Sequence, residues 1–471
     1  MHRSFLSHFN VSERELQLVI SEAMSKGGDY ADLFFEHTFS NSLSLRDGEV
    51  NRASSNIDYG VGIRVLAGDQ TGYAYVENTQ LEAMLQAART AASIASLPTK
   101  YNPAPIVEQR FKNYYRIEQA WTETLIADKK NVVQKLNDRI FELDPRVIKA
   151  NVSLSDSTSY ILFFNSEGKL CSDCRPMALM YAGCTMECNG RIENGYASRA
   201  YRKGAEFLTG ELTDTLAIEA VRQTSLMFEA VKPKGGEMPV VMGAGSSGIL
   251  LHEAIGHAFE ADFNRKDISI FSGKLGKQVC LPAITVVDDG TIDGTRGSIN
   301  FDDEGVESQK TCIIRNGILE SYLHDRISAK FYGVKPTGNG RRQSFRYAPL
   351  PRMRVTYMEA GDTPQEEMIA SIKNGIFVDN FSNGQVQIGA GDFTFFVKTG
   401  CLIENGKLTR PVKDVNIIGN GPKALSDITM VGNNLKIDES AWTCGKDGQS
   451  VPVGQGLPSV LVRRLTVGGV H

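Results

Sequence analysis

The sequence predicts an α+β protein, with an N-terminal part of repeated helix/β-strand units on mixed or antiparallel sheets and a mostly-β C-terminal domain. Helical periods that enclose runs of alternating polar and apolar residues occur twice in the first half and predict the repeated units. β-branched runs between glycine and Asp-Gly turns predict the β-rich second half, which also carries one helix with the pattern H-E-x-x-x-H. A length of 471 residues fits two or three domains of ordinary size.

The first predicted unit covers residues 1–97. It begins with an amphipathic helix over Ser12–Lys26, in which Ser12 and Glu15 have the spacing of a capping box. Alternating runs between residues 32 and 76 predict four strands, and the alanine-rich period of Leu81–Ser96 predicts a second helix. Prolines within residues 98–105 predict a linker.

The second predicted unit covers residues 106–231 and repeats this order of elements. Helical periods over Thr122–Phe141 and Asp214–Glu229 enclose four strand-like runs between residues 147 and 201. The two units are similar in pattern and not in residue identity.

The third predicted domain covers residues 237–471 and follows the segment Lys232–Gly236, which has the glycine and proline content of a boundary. An apolar strand over Pro239–Met242 and a glycine-rich turn lead into a helix over Ile249–Phe259. Strands predominate after this helix. We therefore expect the helix to lie against a sheet.

The helix carries the most informative residues of the chain. His252 and His257 are two of only seven histidines, and Glu253 follows the first of them directly. Two imidazoles and a carboxylate in six residues are typical of a metallohydrolase, in which the histidines bind zinc and the glutamate deprotonates a zinc-bound water. For the bare pattern, two surface histidines on an amphipathic helix are an equally good interpretation.

The spacing of the two histidines requires a distortion of the helix. Residues at i and i+5 of a regular α-helix point about 140° apart, so His252 and His257 would not share one ion. A π-bulge absorbs one extra residue and restores a common face. We place the bulge at Gly256, because a glycine lowers its cost.

A catalytic zinc ion needs a third protein ligand, and the residues leave several candidates. Glu260 and Asp262 follow the motif, His324 lies further along the chain, and eight cysteines are available. Cys444 stands out among the cysteines because it lies in a polar, glycine-rich segment beside a lysine, which favours a thiolate. Spacing alone does not select one of them.

The motif and the C-terminal sequence together resemble the TldD subunit of the TldD/PmbA family of metalloproteases. His252–His257 followed by Ala258–Asp262 is similar to the family's metal-binding motif. Five later runs also agree with the family: Leu402–Lys407, Ile417–Pro422, Met430–Asn433, Cys444–Val453 and Leu465–Gly469. The resemblance spans nearly the whole second half of the chain.

The resemblance implies a metal centre and an activity. It implies that His252, His257 and Cys444 bind Zn2+ and that Glu253 is the catalytic base. The chain would then be the catalytic, TldD-like subunit, because the PmbA (TldE) paralogue lacks the histidine motif. The expected activity is zinc-dependent hydrolysis of peptide bonds in unfolded or extended peptides, and the expected assembly is a homodimer or a heterodimer with a PmbA/TldE-type subunit. No residue is assigned to substrate binding.

Composition narrows the functional class. A net charge of −4 argues against a general binder of nucleic acid or of anionic membranes. No run approaches the length of a membrane span and the first residues lack a signal-peptide core, so we expect a cytoplasmic protein. The alternative function is a non-catalytic regulatory protein of the gyrase-modulator type with a structural metal, although such a site has no use for Glu253.

Two further patterns resemble ligand sites. Cys171, Cys174, Cys184 and Cys188 have spacings that mimic a four-thiolate zinc site, but a strand-like run separates the two pairs, so packed free thiols are favoured. Gly243-x-Gly245-x-x-Gly248 follows a strand as a dinucleotide-binding turn does, but no second strand with a ribose-binding acid follows. We interpret these glycines as room for a close backbone approach.

Two basic segments and two strand-like runs are further candidates for contacts with a peptide. Arg341, Arg342 and Arg346 lie close in sequence to Arg352 and Arg354. We favour a solvated loop rim for these arginines, with the binding of an acidic peptide end as the alternative. The strand-like runs 384–388 and 393–397 are candidates for pairing with an extended peptide or for ordinary core sheet, which is favoured for the second run.

Overall fold

The structure is a computed structural model, and it describes residues 2–97, 100–387 and 389–468. Pro98, in the predicted linker, Ile388, the end of one predicted strand, and Gly469, in the last matching run, lie outside the described residues. The protein is α+β, as predicted from the sequence.

The first half contains five helices among the described residues: α1 (His2–His8), α2 (Glu13–Ala23), α3 (Leu81–Ile94), α4 (Ile126–Leu143) and α5 (Gly210–Glu229). Its strands are β1 (Tyr30–Arg46), β2 (Glu49–Ala67), β3 (Gln70–Val76), β4 (Val107–Glu108), β5 (Val147–Asn165), β6 (Lys169–Cys188) and β7 (Arg191–Tyr201). Helix α2 begins with the predicted capping box, in which the Ser12 side chain accepts from the Glu15 backbone N–H while the Glu15 carboxylate accepts from the Ser12 backbone N–H.

One seven-stranded sheet holds the strands of both predicted N-terminal units. Its order is β3-β2-β1-β5-β6-β4, with β7 also paired to β6. Strands β1 and β5 join the two units by antiparallel pairing from Asp32 with Asn165 to Arg46 with Asn151. Helices α2 and α3 cover one apolar cluster of this sheet, and α4 and α5 cover another. The pleat alternates the side chains, so each strand also presents a second, more polar face.

The second half is mostly strand. Its strands are β8 (Gly236–Met242), β9 (Val286–Asp289), β10 (Lys310–Arg315), β11 (Ile318–Leu319), β12 (Gly340–Arg341), β13 (Leu350–Pro351), β14 (Val355–Met358), β15 (Asn374–Gln387), β16 (Asp392–Glu404), β17 (Lys407–Pro411), β18 (Asn416–Asn420), β19 (Ile428–Val431), β20 (Lys436–Ile437), β21 (Thr443–Lys446), β22 (Gln449–Pro452), β23 (Gly454–Leu457) and β24 (Val460–Gly468). Its helices are α6 (Ile249–Leu251), α7 (Ala261–Arg265), α8 (Arg326–Tyr332), α9 (Gln365–Ala370) and α10 (Gly421–Ser426).

Two sheets of the second half enclose the segment that carries the histidines. Strands β8, β24, β18, β16 and β15 pair in a closed ring, because β15 pairs with both β8 and β16. A separate sheet runs in the order β11-β10-β9-β14-β23-β20. The segment 246–259 packs against strands of both sheets, and its apolar side chains belong to the largest buried cluster of the described chain. The expected position of the helix against a sheet is therefore confirmed.

None of the helices in the described residues is long and apolar enough to cross a membrane.

Candidate metal centre

The helix that carries His252 and His257 contains the predicted π-bulge. An α-helical turn over Ile249–Leu251 passes into a π-helix over His252–Gly256, and a 3₁₀ turn over His257–Phe259 follows. The extra residue per turn brings the two imidazole rings together, with their centroids 5.1 Å apart. The distortion expected from the spacing of the two histidines is confirmed.

Gly256 is needed for space and not for backbone freedom. Its φ of −59° and ψ of −51° are ordinary helical values, so the glycine lowers the cost of the bulge through its missing Cβ atom and not through an unusual backbone conformation. A Cβ atom here would overlap the Sδ atom of Met353 and come within 2.9 Å of the Leu251 carbonyl oxygen. The Met353 side chain therefore packs directly on the bulge, in the space that a Cβ atom would occupy.

Two other glycines allow similar close approaches around this segment. A Cβ atom on Gly248 would lie 2.7 Å from the backbone nitrogen of Gly456 in β23, so the last glycine of the G-x-G-x-x-G pattern packs on a sheet, as we interpreted it. A Cβ atom on Gly421 would overlap the carbonyl oxygen of Ala254, so the start of α10 lies directly on the π-helix. The missing side chains at these two positions let the histidine segment pack directly on β23 and on α10.

Cys444 reaches the two histidines from the hairpin of β21 and β22. Its Sγ atom lies 3.4 Å from the Nε2 atom of His257, and one ligand atom from each of His252, His257 and Cys444 lies within 4.8 Å of the others. The three residues are 4%, 5% and 2% exposed, respectively. The structure thus brings together the three residues that the resemblance implied as ligands.

The dimensions and chemistry of this cluster fit zinc. A tetrahedral ion with Zn–S of about 2.3 Å and Zn–N of about 2.0 Å holds its sulfur and nitrogen ligands about 3.5 Å apart. Two nitrogens and a sulfur are ligands that select zinc over magnesium or manganese. The Nδ1 atom of His252 is buried without a hydrogen-bond partner among the described residues, so the protein alone does not satisfy this imidazole.

Electrostatics favour the ionised thiol. Burial opposes ionisation of Cys444, but His252 and His257 lower its pKa well below the usual value. Burial likewise opposes protonation of His257, but Glu260 and Cys444 raise its pKa well above the usual value. Each group thus favours the charged form of the other, and a divalent cation at this position would likewise favour the thiolate.

Glu260 and Asp262, which the sequence offered as possible metal ligands, lie outside the cluster of ligand atoms. Glu260 contacts His257, and both carboxylates contact Lys446. The Oε2 atom of Glu260 lies 3.0 Å from Nδ1 of His257, on the opposite side of the ring from Cys444. Lys446 donates to Glu260 at 3.0 Å and to Asp262 at 2.8 Å. Burial would raise the pKa of Glu260, but the charges of Lys446 and His257 lower it to about 2. Glu260 therefore acts on His257 as an anion.

Lys446 was not predicted from the sequence to be part of this site. It lies two residues after Cys444 in β21, and alternate residues of a strand share a face, so the C-G-K spacing could have indicated it. Its ammonium group is buried, and it also donates to the carbonyl oxygen of Pro351 at 3.1 Å.

The other sequence candidates lie outside the cluster. His324 is buried beside Tyr322 and Tyr332, and burial lowers its pKa to about 4. Cys171, Cys174, Cys184 and Cys188 are free thiols on the single strand β6, where 13 residues of extended chain put Cys171 about 40 Å from Cys184. They do not form a common site, and packed free thiols were the correct interpretation.

Glu253, the predicted catalytic base, is partly exposed, whereas the residues on either side of it are buried. It follows His252 directly, within the π-helix. Within the described part of the chain, its side chain makes no hydrogen bond or ion pair, and it is neither fully buried nor fully exposed. A carboxylate in this position is free to interact with a ligand.

The predicted solvated rim of arginines was wrong. Arg341, Arg342, Arg352 and Arg354 are at most 4% exposed, and Arg346 alone reaches the surface, with its side chain 30% exposed. Their partners lie far away in sequence: Arg354 pairs with Asp288 at 2.8 Å, and Arg352 donates to the carbonyl oxygen of Cys444 at 2.6 Å. Arg352 therefore helps to hold the hairpin that carries the thiolate.

Comparison with known proteins identifies the class of protein that this site belongs to. The PmbA/TldA metallopeptidase models match the chain throughout: domain 1 matches residues 31–95, the central domain residues 120–228, and the C-terminal domain residues 235–469. The chain belongs to this PmbA/TldD family of metallopeptidases, as the resemblance of its motifs predicted.

Curated relatives give the same class. The chain is 40% identical to a metalloprotease TldD homolog of Haemophilus influenzae, over 99% of this chain and 98% of that protein. It is 27% identical to a zinc metalloprotease TldD homolog of Saccharolobus solfataricus, over 96% and 99% of the two chains.

Solved structures share the fold. A putative modulator of DNA gyrase from Thermotoga maritima matches with a TM-score of 0.78 and 22% identity, over 97% of this chain and 100% of that chain. TldE from Thermococcus kodakarensis matches with a TM-score of 0.75 and 19% identity, over 97% and 100% of the two chains. At this level of identity, these matches describe architecture and not activity.

Proposed function

We propose that the protein is a zinc-dependent peptidase that hydrolyses extended or unfolded peptides, with His252, His257 and Cys444 as the zinc ligands and Glu253 as the catalytic base. The observation that carries the proposal is the buried cluster of two imidazoles and a thiol, with ligand atoms within 4.8 Å of one another, beside a carboxylate that has no partner among the described residues. Membership of a metallopeptidase family supports it. A purely structural metal would leave Glu253 without a role.

The residues of the site divide the chemistry between them. Zinc, when bound, supplies Lewis acidity at the reacting centre. Glu253 takes a proton from the attacking water and returns it to the leaving amine. Glu260 accepts from Nδ1 of His257, which leaves the Nε2 lone pair available as a ligand. Lys446 keeps Glu260 charged, so the imidazole stays oriented throughout the reaction.

An unpaired strand edge favours a substrate that binds in an extended conformation. Strand β15 pairs with β16 along its whole length but with β8 only at residues 376–378. In the described part of the chain, residues 382–387 therefore have one edge without a strand partner, whereas the Phe381 backbone N–H donates to the Ser246 hydroxyl at 3.3 Å. Strand β15 also packs against the π-helix. An extended peptide adds to such an edge through its backbone, largely independently of its sequence.

The proposal extends to the cellular setting and the assembly. We place the protein in the cytoplasm, where eight free thiols are stable. A homodimer or a heterodimer with a TldE-type subunit is proposed, because the fold matches that of TldE.

Metal content and peptide cleavage, measured together, test this function. We expect about one zinc per chain in the parent protein and cleavage of an unstructured peptide mixture. Cys444→Ala should lose both, whereas Glu253→Gln should keep zinc and lose turnover about 100-fold or more. Cys401→Ala, a partly buried thiol outside the cluster, is the matched control and should keep both. Full activity in Glu253→Gln, or a protein that cannot be loaded with zinc, would refute the proposal.

A further inference from the structure

A cavity of about 550 Å³ lies between the N-terminal sheet and the hairpin that carries Cys444. Residues of β1, β5 and β6, such as Thr38, Ser157 and Met177, line one side. Thr443 and residues 450–452 of the hairpin line the other side. A volume of this size is typical of a site for a small ligand or for part of a peptide.

Arginines dominate the charge of this cavity. Six of them line it, and three are neutralised by carboxylates. Arg175 pairs with Asp303 at 2.6 Å and with Asp173 at 3.0 Å, and Arg342 pairs with Asp32 at 3.4 Å. Arg346 pairs with both Asp58 and Glu77 at 2.8 Å.

The other three, Arg202, Arg296 and Arg341, form no ion pair with any carboxylate of the described residues. Arg296 donates to the Trp442 carbonyl oxygen at 2.9 Å, and Arg341 donates to the Pro452 carbonyl oxygen at 2.8 Å. We call them the unpaired arginines.

Arg202 is the least satisfied of the unpaired arginines. It is 5% exposed, its Nε atom has no partner among the described residues, and its closest side-chain hydrogen bond, to the carbonyl oxygen of Pro176, is 3.4 Å long. Burial lowers the pKa of Arg202, of Arg296 to about 10 and of Arg341 to about 9. The carboxylates of Asp173 and Asp303 act on Arg202 only from a distance and do not contact it. A buried guanidinium whose N–H groups lack partners is costly unless an anion or another acceptor joins it.

The cavity contains one carboxyl group that is not paired with an arginine, Glu36. Burial raises its pKa to about 7, so near neutral pH it offsets only part of one positive charge. Its oxygens accept from the Thr38 hydroxyl at 2.9 Å and from the Phe345 backbone N–H at 2.8 Å. Glu36 therefore does not supply a direct carboxylate partner for the unpaired arginines.

Two of the unpaired arginines, Arg296 and Arg341, contact one pair of residues in the hairpin that carries Cys444. Thr443 and Pro452 lie opposite each other in the hairpin, directly before Cys444. Arg296 donates to the Thr443 hydroxyl at 3.2 Å, and Arg341 donates to the Pro452 carbonyl oxygen. Successive side chains of a strand point in opposite directions, so Thr443 faces the cavity while Cys444 faces the histidines.

We propose that the unpaired arginines bind a carboxylate of the peptide substrate, in first place its C-terminal carboxylate. Guanidinium groups bind carboxylates through paired, charge-assisted hydrogen bonds. The cavity is lined by Thr443, the residue directly before Cys444, so the same hairpin contributes to the cavity and to the cluster. The inference rests on the proposed peptidase function. It assigns to that function a preference for peptides with a free carboxyl end.

Binding of matched peptides tests the inference without turnover. A fluorescent peptide is prepared as the free acid and as the C-terminal amide, and both are titrated into the zinc-loaded Glu253→Gln chain. We expect the acid to bind about tenfold or more tightly than the amide. Arg202→Gln and Arg296→Gln, each added to this chain, should bring the ratio close to one by weakening the acid alone. Arg199→Gln, whose guanidinium pairs with Glu219 outside the cavity, should keep the ratio.

A second pair of peptides identifies the source of the carboxylate. Both members are amides, and they carry Glu or Gln as the last residue. A preference for Glu that disappears in Arg202→Gln assigns the cavity to a side-chain carboxylate, whereas a preference seen only for the free acid assigns it to the chain end. Equal binding of all four peptides by the parent, or a preference that survives in both arginine variants, overturns the inference. Because the readout is binding, absence of peptide cleavage would count against the proposed function alone.

Thermal unfolding of the arginine variants distinguishes a ligand-binding role of Arg202 from a merely structural one. Removing an uncompensated buried charge relieves repulsion, so Arg202→Gln should unfold at the same temperature as its parent or higher. Arg175→Gln removes a paired arginine of the same cavity and should unfold at a lower temperature. A large drop for Arg202→Gln comparable to that of Arg175→Gln would contradict the assignment of Arg202 to a ligand.

Discussion

The Nδ1 atom of His257 and the Oε2 atom of Glu260 lie 3.0 Å apart in a fully buried environment. The contact fixes both the orientation and the tautomer of the imidazole, because Nδ1 carries the proton that Glu260 accepts. Its Nε2 atom then faces the Sγ atom of Cys444 at 3.4 Å. A carboxylate three residues after the second histidine thus belongs to the candidate metal centre by contacting a proposed ligand, and not as a ligand itself.

Glu260→Gln should weaken zinc binding about 10- to 100-fold, because such outer partners raise the basicity of a ligating histidine. Competition with a chromophoric chelator measures the affinity. Glu187→Gln, on an exposed side chain, is the control and should leave the affinity unchanged. Unchanged affinity in Glu260→Gln would mean that packing alone orients His257.

Gly256→Ala should destabilise the protein by about 1–3 kcal/mol and reduce its zinc content, because the new methyl group would collide with Met353 beside the π-helix. The sign is informative, since the same change in an ordinary exposed helix stabilises by about 1 kcal/mol. Chemical denaturation measures the difference. Gly210→Ala at the start of α5, where a Cβ atom would meet nothing within 4 Å, is the control. A stabilised Gly256→Ala variant would show that the π-helix has space for a methyl group at this position.

The sequence predicted local features better than long-range ones. The capping box of α2 and the π-bulge follow from residues within a few positions of each other, and both are present. The bulge could be predicted because the distance between His252 and His257 in the chain conflicts with the geometry of a regular helix.

Errors arose where the partner lies far away in the chain. Strands β1 and β5 are each continuous over regions that were predicted as two short strands, because their middles are rich in polar residues such as Ser42 and Ser155. These two hydroxyls meet across the paired strands at 3.2 Å, a contact that neither local sequence contains. Arg354 was likewise predicted to be solvated, since Asp288, 66 positions earlier, gives no local signal.

Removal of zinc should lower the thermal stability of the parent protein but not that of Cys444→Ser. A ligand that binds only the folded chain stabilises it in proportion to the logarithm of its concentration over its dissociation constant. Differential scanning fluorimetry with and without a chelator measures the shift. Cys401→Ser should respond to the chelator as the parent does, because this thiol lies outside the cluster. A chelator response in Cys444→Ser equal to that of the parent would remove Cys444 from the ligand set.

Glu36→Gln should stabilise the protein progressively as the pH rises from about 4.5 to about 7. Burial raises the pKa of Glu36 in the folded state from 4.5 to about 7. The folded state therefore retains a proton that the unfolded chain releases above about pH 4.5. The stability contributed by the neutral carboxyl group is complete below that pH and is lost as the pH rises through 7, whereas the amide of glutamine has no such dependence.

The expected difference between Glu36→Gln and the parent is of order 1–3 kcal/mol at pH 8 and close to zero at pH 4.5. Urea unfolding at a series of pH values measures it, with Glu366→Gln on an exposed side chain as the control. The glutamine can keep both hydrogen bonds of Glu36, since its oxygen can accept from the Phe345 N–H and its amide can donate to the Thr38 hydroxyl. A difference that is independent of pH would mean that Glu36 is ionised in the folded protein, and it would leave the cavity with one positive charge fewer for a substrate carboxylate.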